Sequence, residues 1–396
     1  MFESIKLTNF LSFGKDTEEI ELHPLNVIVG TNGSGKSNFL EAFDLLKCAP
    51  QSIAKLIREG GGVSDWIHKG PGSGFDAEID AIISNTLPSR KYNDLRYRIS
   101  FNAVGQGFEI TDEKLVSKAP DTGKTKPYIF YDFNNGRPAI NLHDVESPRT
   151  LQREDIDITQ AILAQKRDAL HYPEPTYIAQ RFSGIQLYRE WAFGRYTPMR
   201  LPQKADLQNQ YLEPDCSNLG LVLNYIKSDM PSKKRLLKEL QYFYNDVEDY
   251  ESVISGGSVQ IYFQEHGLRA SVPATRLSDG TLRYLCLLAI LCHPSPPLLI
   301  CLEEPELGLH PDVLPNLASL LRDVSNYSQI IVTTHSEVFV DSFSDAPEAI
   351  LVAEKIDTET KLSRLNGKQL KPWLDKYRLG DLWTRGDIGG TRWKNR

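Results

Sequence analysis

The sequence predicts an α/β fold with an antiparallel β subdomain and a mostly helical insertion, and three observations carry that prediction. Leu25-Asn26-Val27-Ile28-Val29 is an apolar, β-rich run that enters a glycine-rich loop, after which Phe39, Phe43 and Leu46 recur at helical spacing up to Pro50. Between about Phe75 and Ile140, β-rich runs such as Tyr97-Arg98-Ile99-Ser100-Phe101 and Tyr128-Ile129-Phe130-Tyr131 are separated by Gly and Pro clusters, as in an antiparallel meander. From Leu277 onward the order is helix, strand, helix, strand, with Leu298-Leu299-Ile300-Cys301-Leu302 and Ile330-Ile331-Val332 as buried strands.

Taken in order, Ile5 and Leu7 alternate with Lys6 and Thr8, and Ile20 and Leu22 with Glu19 and Glu21, each a half-buried strand pattern. From about Leu151 to Asp249 the composition turns to Gln, Leu, Lys and Arg at helical spacing, as in Leu219-Leu223-Ile226 and Leu236-Leu240-Phe243. Val259-Gln260-Ile261-Tyr262-Phe263 then alternates as a strand. The expected organisation is residues 1–150 as the first part of an α/β head, 151–250 as the helical insertion, and 251–396 as the second part of the head with a basic tail.

The chain has 396 residues, 40% apolar and 24% charged, which is the balance of a globular protein with a proper core. No apolar run reaches the roughly 18 residues that a membrane span needs. The start, Met1-Phe2-Glu3-Ser4-Ile5, lacks the basic and apolar blocks of a secretory signal. Cys48, Cys216, Cys286, Cys292 and Cys301 are an odd, scattered set that fits free thiols rather than disulfides or zinc. These features lead us to expect a cytoplasmic protein. The net charge of −7 is uneven: residues 361–396 hold ten Lys or Arg against three Asp. That tail reads as a solvated basic end or as a contact for a phosphate backbone or an acidic partner.

Four motifs carry chemistry. Gly30-Thr31-Asn32-Gly33-Ser34-Gly35-Lys36-Ser37 matches G-x-x-x-x-G-K-[ST] in full, with the required strand before it and helix after it. Its glycines let backbone N–H groups curl round phosphate oxygens of ATP, Lys36 brings charge to the β- and γ-phosphates, and the Ser37 hydroxyl suits Mg²⁺. The strand 298–302 ends in Glu303-Glu304-Pro305-Glu306, which provides a metal-shell carboxylate, Glu303, and a carboxylate to position or deprotonate water, Glu304. Leu277-Ser278-Asp279-Gly280-Thr281 opens a helix, so the Ser278 side chain and the Gly280 amide form an anion site. An anion site distinct from the phosphate loop makes sense if it caps the γ-phosphate held by a second copy. Thr333-Thr334-His335-Ser336 ends the next strand, from where the His335 imidazole could reach a γ-phosphate oxygen.

With these elements in this order, the sequence resembles the ABC-type ATPase heads of the SMC, RecF and OLD-like families, among them small bacterial AAA-family ATPases. The motifs cover roughly residues 1–60 and 273–345. Ser4-Ile5-Lys6-Leu7-Thr8-Asn9-Phe10-Leu11-Ser12-Phe13 is similar to the opening strand and adenine-side loop of RecF-like proteins. Glu304-Pro305-Glu306-Leu307-Gly308-Leu309-His310-Pro311 resembles the acidic strand end and dimer-contact loop of OLD-like ATPases, and Leu379-Gly380-Asp381-Leu382-Trp383 and Gly386-Asp387-Ile388-Gly389-Gly390 resemble the tails of the small ATPases. The resemblance implies Lys36 and Ser37 at the phosphates, Ser278 and Gly280 as a signature acting in trans, Glu304 as catalytic carboxylate and His335 as a switch. The chain departs from the pattern at Leu11, where many relatives have a basic residue, at Asp279, where transporter ATPases usually have Gly, and at Glu303, where Asp is commoner. The glutamine lever of such heads falls on Gln165, with Gln180 as its rival.

The expected function is a dimeric ATPase that senses nucleic acid or controls a partner effector in bacterial antiviral defence. The alternatives are a DNA repair or recombination ATPase, the nucleotide-binding subunit of a transporter, and a scaffold that uses ATP as dimer glue. About 240 residues separate Lys36 from Ser278, far more than a compact transporter head needs, and Glu304 speaks against a scaffold. Only 61 residues follow His335, too few for the Toprim nuclease domain of OLD-like nucleases. By resemblance, such an effector (a Toprim-like nuclease or a toxin) belongs to a separate subunit, with DNA as a further candidate partner.

Overall fold

The computed structural model describes residues 1–70, 75–87, 94–105, 107–120, 123–134, 137–142, 150–152 and 156–391. They form two compact units: Met1–Ile185 with Glu348–Leu365 and Gly386–Arg396, and Gln186–Pro347 with Asn366–Arg385. The last five residues of the basic tail lie outside the described residues.

The first unit carries an eight-stranded sheet in the order 20–21, 2–8, 77–83, 95–104, 107–120, 127–134, 137–142, 150–152, every neighbouring pair antiparallel. The expected meander is therefore present, and the opening strand joins it through Ile5 opposite Ala81. Alternation fixes this register, because a one-residue slip would turn Leu95, Tyr97 and Ile99, all fully buried, out to solvent. An aromatic cluster packs one face: Phe2 meets Phe43 edge-on at 5.4 Å and stacks on Phe182 at 5.8 Å, and Tyr97 meets Phe182 at 5.3 Å. In the same unit Leu25–Val29, buried at all five positions, pairs in parallel with Ile350–Ile356, which turns back as Glu359–Arg364. The two-residue turn is Asp357-Thr358 with φ of 48° and 76°, the left-handed pair that a tight hairpin needs.

In the second unit Leu299–Glu303 and Gln329–Thr334 pair in parallel, Leu302 opposite Val332. Both are buried, at Leu299–Leu302 and at all six residues of Gln329–Thr334; the helix Leu314–Ser325, which buries Leu317, Leu321 and Val324, packs on the second strand, and Asp279–Leu291 is buried from Thr281 to Leu291. Helices Leu219–Ser228 and Met230–Phe243 lead into the hairpin Val247–Ser255 and Ser258–Glu265. The closing helix Leu379–Thr384 is clipped to Glu337–Asp341, where Asp341 accepts the Gly380 N–H at 2.6 Å. All five cysteines are free thiols. No helix among the described residues is long and apolar enough to cross a membrane.

One buried charge sets a pH dependence. Glu113, on the long central strand of the eight-stranded sheet, accepts from the Tyr97 hydroxyl at 2.7 Å and from the Ile162 N–H at 3.0 Å on both oxygens. Burial pushes its pKa up to about 7 against those two bonds. The folded state therefore holds this proton while the unfolded chain, with an ordinary carboxylate, has lost it, so stability falls as pH rises from about 4.5 to 7. Thermal melts across pH should show that decline, at most about 3 kcal/mol from this group, and Glu113→Gln should flatten it.

Candidate active site

In the first unit the phosphate loop begins where the buried strand Leu25–Val29 ends. Gly33 (φ 78°) and Gly35 (φ 96°) adopt left-handed backbone, and a Cβ on Gly35 would stand 2.0 Å from Thr360 Oγ1. Gly35 is also the N-cap of the helix Lys36–Cys48 and offers no side chain to its first turn, which leaves the N–H groups there to an anion. Lys36 is buried, and its ammonium donates to the carbonyls of Gly30 at 2.8 Å and Thr31 at 3.1 Å. Ser34 is buried as well, and its carbonyl accepts from the Thr360 hydroxyl at 2.9 Å, while Asn32 and Gly33 are exposed at the tip.

A second shell of contacts reaches the N-terminal loop. Ser12 Oγ accepts from Asn38 at 2.8 Å and lies 2.7 Å from Thr360 Oγ1, and His68 Nδ1 lies 2.9 Å from the Leu11 carbonyl. Leu11 itself is left-handed, at φ 49°. Leu11, Ser12, Asn38 and His68 border a cavity of about 400 Å³ that also takes in Lys69 and Lys355. No motif marks His68, Lys69 or Lys355; only the fold collects them. Gln165 ends the short helix Ile162–Gln165, and its amide is used locally, accepting from the Asp157 N–H at 2.9 Å and donating to the Asp157 and Gln160 carbonyls. Gln180 is exposed on the helix Pro173–Ser183.

The second unit brings together the acidic strand end, the histidine and the serine-headed helix. Glu304 follows the strand Leu299–Glu303 with φ 46°, and its N–H donates to the Thr333 carbonyl at 3.0 Å. Glu304 Oε1 then stands 3.1 Å from His335 Nδ1. Glu306 is buried and accepts from the Thr334 hydroxyl at 2.5 Å and the His335 N–H at 3.2 Å, while desolvation holds its pKa above the usual carboxylate range. Glu306 thus locks the end of the neighbouring strand and with it the root of the His335 side chain.

Glu303 points to a different partner. Its Oε2 accepts from Arg189 Nε at 2.9 Å, and its carbonyl accepts from Trp191 Nε1 at 2.9 Å. Ser278 caps the Asp279–Leu291 helix by accepting from the Thr281 N–H at 3.0 Å. Asp279 accepts from Arg200 at 2.5 Å and from the Gly194 N–H at 3.2 Å, and Arg200 also donates to the Leu277 carbonyl. A Cβ on Gly280 would lie 3.1 Å from the Gly308 carbonyl, so the signature turn packs closely on the turn after Glu304. Residues 189–200, which the sequence placed in a helical insertion apart from the motifs, therefore touch two of them. Their signal was three arginines and three aromatics in a short span, which has no fixed spacing to recognise.

Residues 25–341 match the family described as "AAA domain, putative AbiEii toxin, Type IV TA system". A protein of Helicobacter pylori named "ATP/GTP phosphatase" is 23% identical over 357 residues, covering 86% of this chain and 87% of that one. Among solved structures, an Smc head bound to the C-winged helix domain of ScpA is similar with a TM-score of 0.56 at 16% identity, covering 93% of this chain and 99% of that chain. The Smc head of Pyrococcus furiosus bound to the C-terminal domain of ScpA is similar with a TM-score of 0.52 at 15% identity, covering 95% and 98%. At that identity the two structures establish the fold, an SMC-type ATPase head. The chain belongs to this AAA-domain family and is an ATP hydrolase.

Proposed function

We propose that the chain hydrolyses ATP as a dimer, with two ATP molecules completed by the signature turns of opposite copies, and that this cycle controls a separate effector. The observation that carries the chemistry is the pairing of Glu304 with His335 at 3.1 Å, on a left-handed residue at the end of a buried strand. The loop amides of residues 30–35 and the first turn of the following helix bind the phosphates. Lys36, whose ammonium donates to the carbonyls of Gly30 and Thr31, supplies its charge to the β- and γ-phosphate oxygens. The Ser37 hydroxyl and the Glu303 carboxylate are hard oxygen donors that fit Mg²⁺. When bound, that ion neutralises charge building on the phosphates. Glu304 orients the attacking water and takes its proton, and His335 moves between Glu304 and a γ-phosphate oxygen and so reports whether that phosphate is still attached. Ser278 and Gly280 of the second copy supply the remaining donors.

The effector reading is supported by the family description, which speaks of a toxin system, and by the resemblance to RecF- and OLD-like ATPases. We place the effector, a Toprim-like nuclease or another toxin, in a separate subunit of a cytoplasmic bacterial antiviral system. Residues 151–250 and the basic tail are the candidate surfaces for that subunit or for DNA.

Glu304→Gln should lower kcat by at least about a hundredfold and accumulate an ATP-bound dimer on size exclusion; turnover at the wild-type rate would remove Glu304 from the mechanism. Lys36→Ala and Ser278→Arg proteins, each inactive alone, should recover up to about a quarter of wild-type ATPase activity when mixed, since half the dimers then hold one complete site. No recovery, with both variants folded and exchanging subunits, sinks completion in trans. The Glu304→Gln protein used as bait in its native host should retain an effector subunit or DNA, and recovery of neither would refute the control function.

A further inference from the structure

Arg283 has the largest of the fully buried side chains, 1% exposed. It sits in the first turns of the Asp279–Leu291 helix, the helix that opens with the signature turn. Its guanidinium lies 4.5 Å from the Trp191 ring centroid and 5.2 Å from that of Phe193. Nη2 donates to the Glu304 carbonyl at 2.7 Å, while Nε and Nη1 find no hydrogen-bond partner among the described residues. Burial pulls its pKa down to about 10, so it still carries its charge at neutral pH.

Stability alone does not account for this residue. A buried guanidinium with two idle nitrogens is costly, and an apolar side chain of similar volume would fill the same space without that cost. What an arginine adds is a charged, directional hydrogen bond from a planar group held rigidly by two rings. That bond ends on Glu304, a non-glycine residue in left-handed backbone. The same carbonyl also accepts from the Leu307 N–H at 3.2 Å, and the Glu304 N–H is taken by Thr333. Two distant segments, at Thr333 and Arg283, thus hold this turn in addition to its own Leu307 bond, and Arg283 brings in the signature helix. The clamp is shared with the signature turn itself, since the segment bearing Trp191 and Phe193 also gives Asp279 the Gly194 N–H and the Arg200 guanidinium.

We propose that Arg283 is a positioning residue for ATP hydrolysis: it holds the Glu304 backbone so that the carboxylate meets the attacking water, and it ties that carboxylate to the turn Ser278-Asp279-Gly280. Engagement of the signature turn by nucleotide then stiffens the hold on Glu304, so that hydrolysis is competent only when both are in place. This rests on Glu304 being the catalytic carboxylate.

Steady-state ATP hydrolysis by Arg283→Met and Arg283→Lys tests it alongside Glu304→Gln and the double variant Arg283→Met, Glu304→Gln. The expected result is a kcat about tenfold or more lower for Arg283→Met with KM within about twofold, partial recovery in Arg283→Lys, and no further loss in the double variant, because both changes remove one function. A wild-type kcat in folded Arg283→Met, or a loss that multiplies with that of Glu304→Gln, overturns the proposal. Should Arg283→Met not fold, Arg283→Lys decides: a lysine cannot span both rings as a planar group, so its kcat must fall by about threefold or more at unchanged KM, and a wild-type kcat overturns the proposal. Full activity in Glu304→Gln would instead refute the catalytic role of Glu304, which separates the two failures.

Discussion

The peptide at Glu304 is the constraint on which the proposed chemistry depends. A strand buried on both faces must end abruptly there, because Pro305 cannot continue the ladder and the chain turns away at φ 46°. Such backbone costs about 1–3 kcal/mol in a non-glycine residue and persists only where the surroundings over-determine it. Here they do: Thr333 takes the N–H, and Leu307 and Arg283 satisfy the carbonyl. The turn swings the carboxylate sideways to His335 instead of letting it continue the alternation of the strand. Glu303, one residue earlier, keeps strand geometry and meets Arg189 instead. Two adjacent, chemically equal carboxylates thus acquire different neighbours from one left-handed residue.

The phosphate loop solves a different problem, that of storing positive charge beside glycines without collapse. Lys36 does this by donating to the carbonyls of Gly30 and Thr31, which keeps a buried ammonium satisfied and the loop open around it. Thr360 braces the loop from the adjoining hairpin through the Ser34 carbonyl, and the same hydroxyl reaches Ser12. The G-x-x-x-x-G-K-S loop and the loop expected beside adenine are therefore joined through two hydroxyl groups, a network in which each member orients the next.

The α/β class, the antiparallel subdomain and the ATPase chemistry were legible in the sequence because each rests on local rules. Residues 25–48 hold strand, glycine loop and helix in one contiguous stretch, and the meander announces itself through alternation and turn residues. Fixed spacing made the phosphate loop readable, and an apolar run ending in acids marked residues 298–304. Residues 185–204 were less transparent: a strand at Ile185–Tyr188 and another at Gln203–Lys204 flank an irregular segment, where helical spacing nearby suggested a mostly helical insertion. Short strands that owe their existence to pairing with distant partners leave little periodicity behind them.

By itself, then, the order of residues determined which elements form and which of them hold the motifs, since a G-x-x-x-x-G-K-S loop, a buried strand and a serine N-cap are each decided within a few neighbouring residues. Tertiary structure alone decided which side chains serve the same point in space. Nothing local links Arg283 to Glu304, Arg189 to Glu303 or Arg200 to Asp279, because those bonds join positions 21, 114 and 79 residues apart. A hydrogen bond needs its partners within about 3 Å, and only the packed chain brings such distant residues that close.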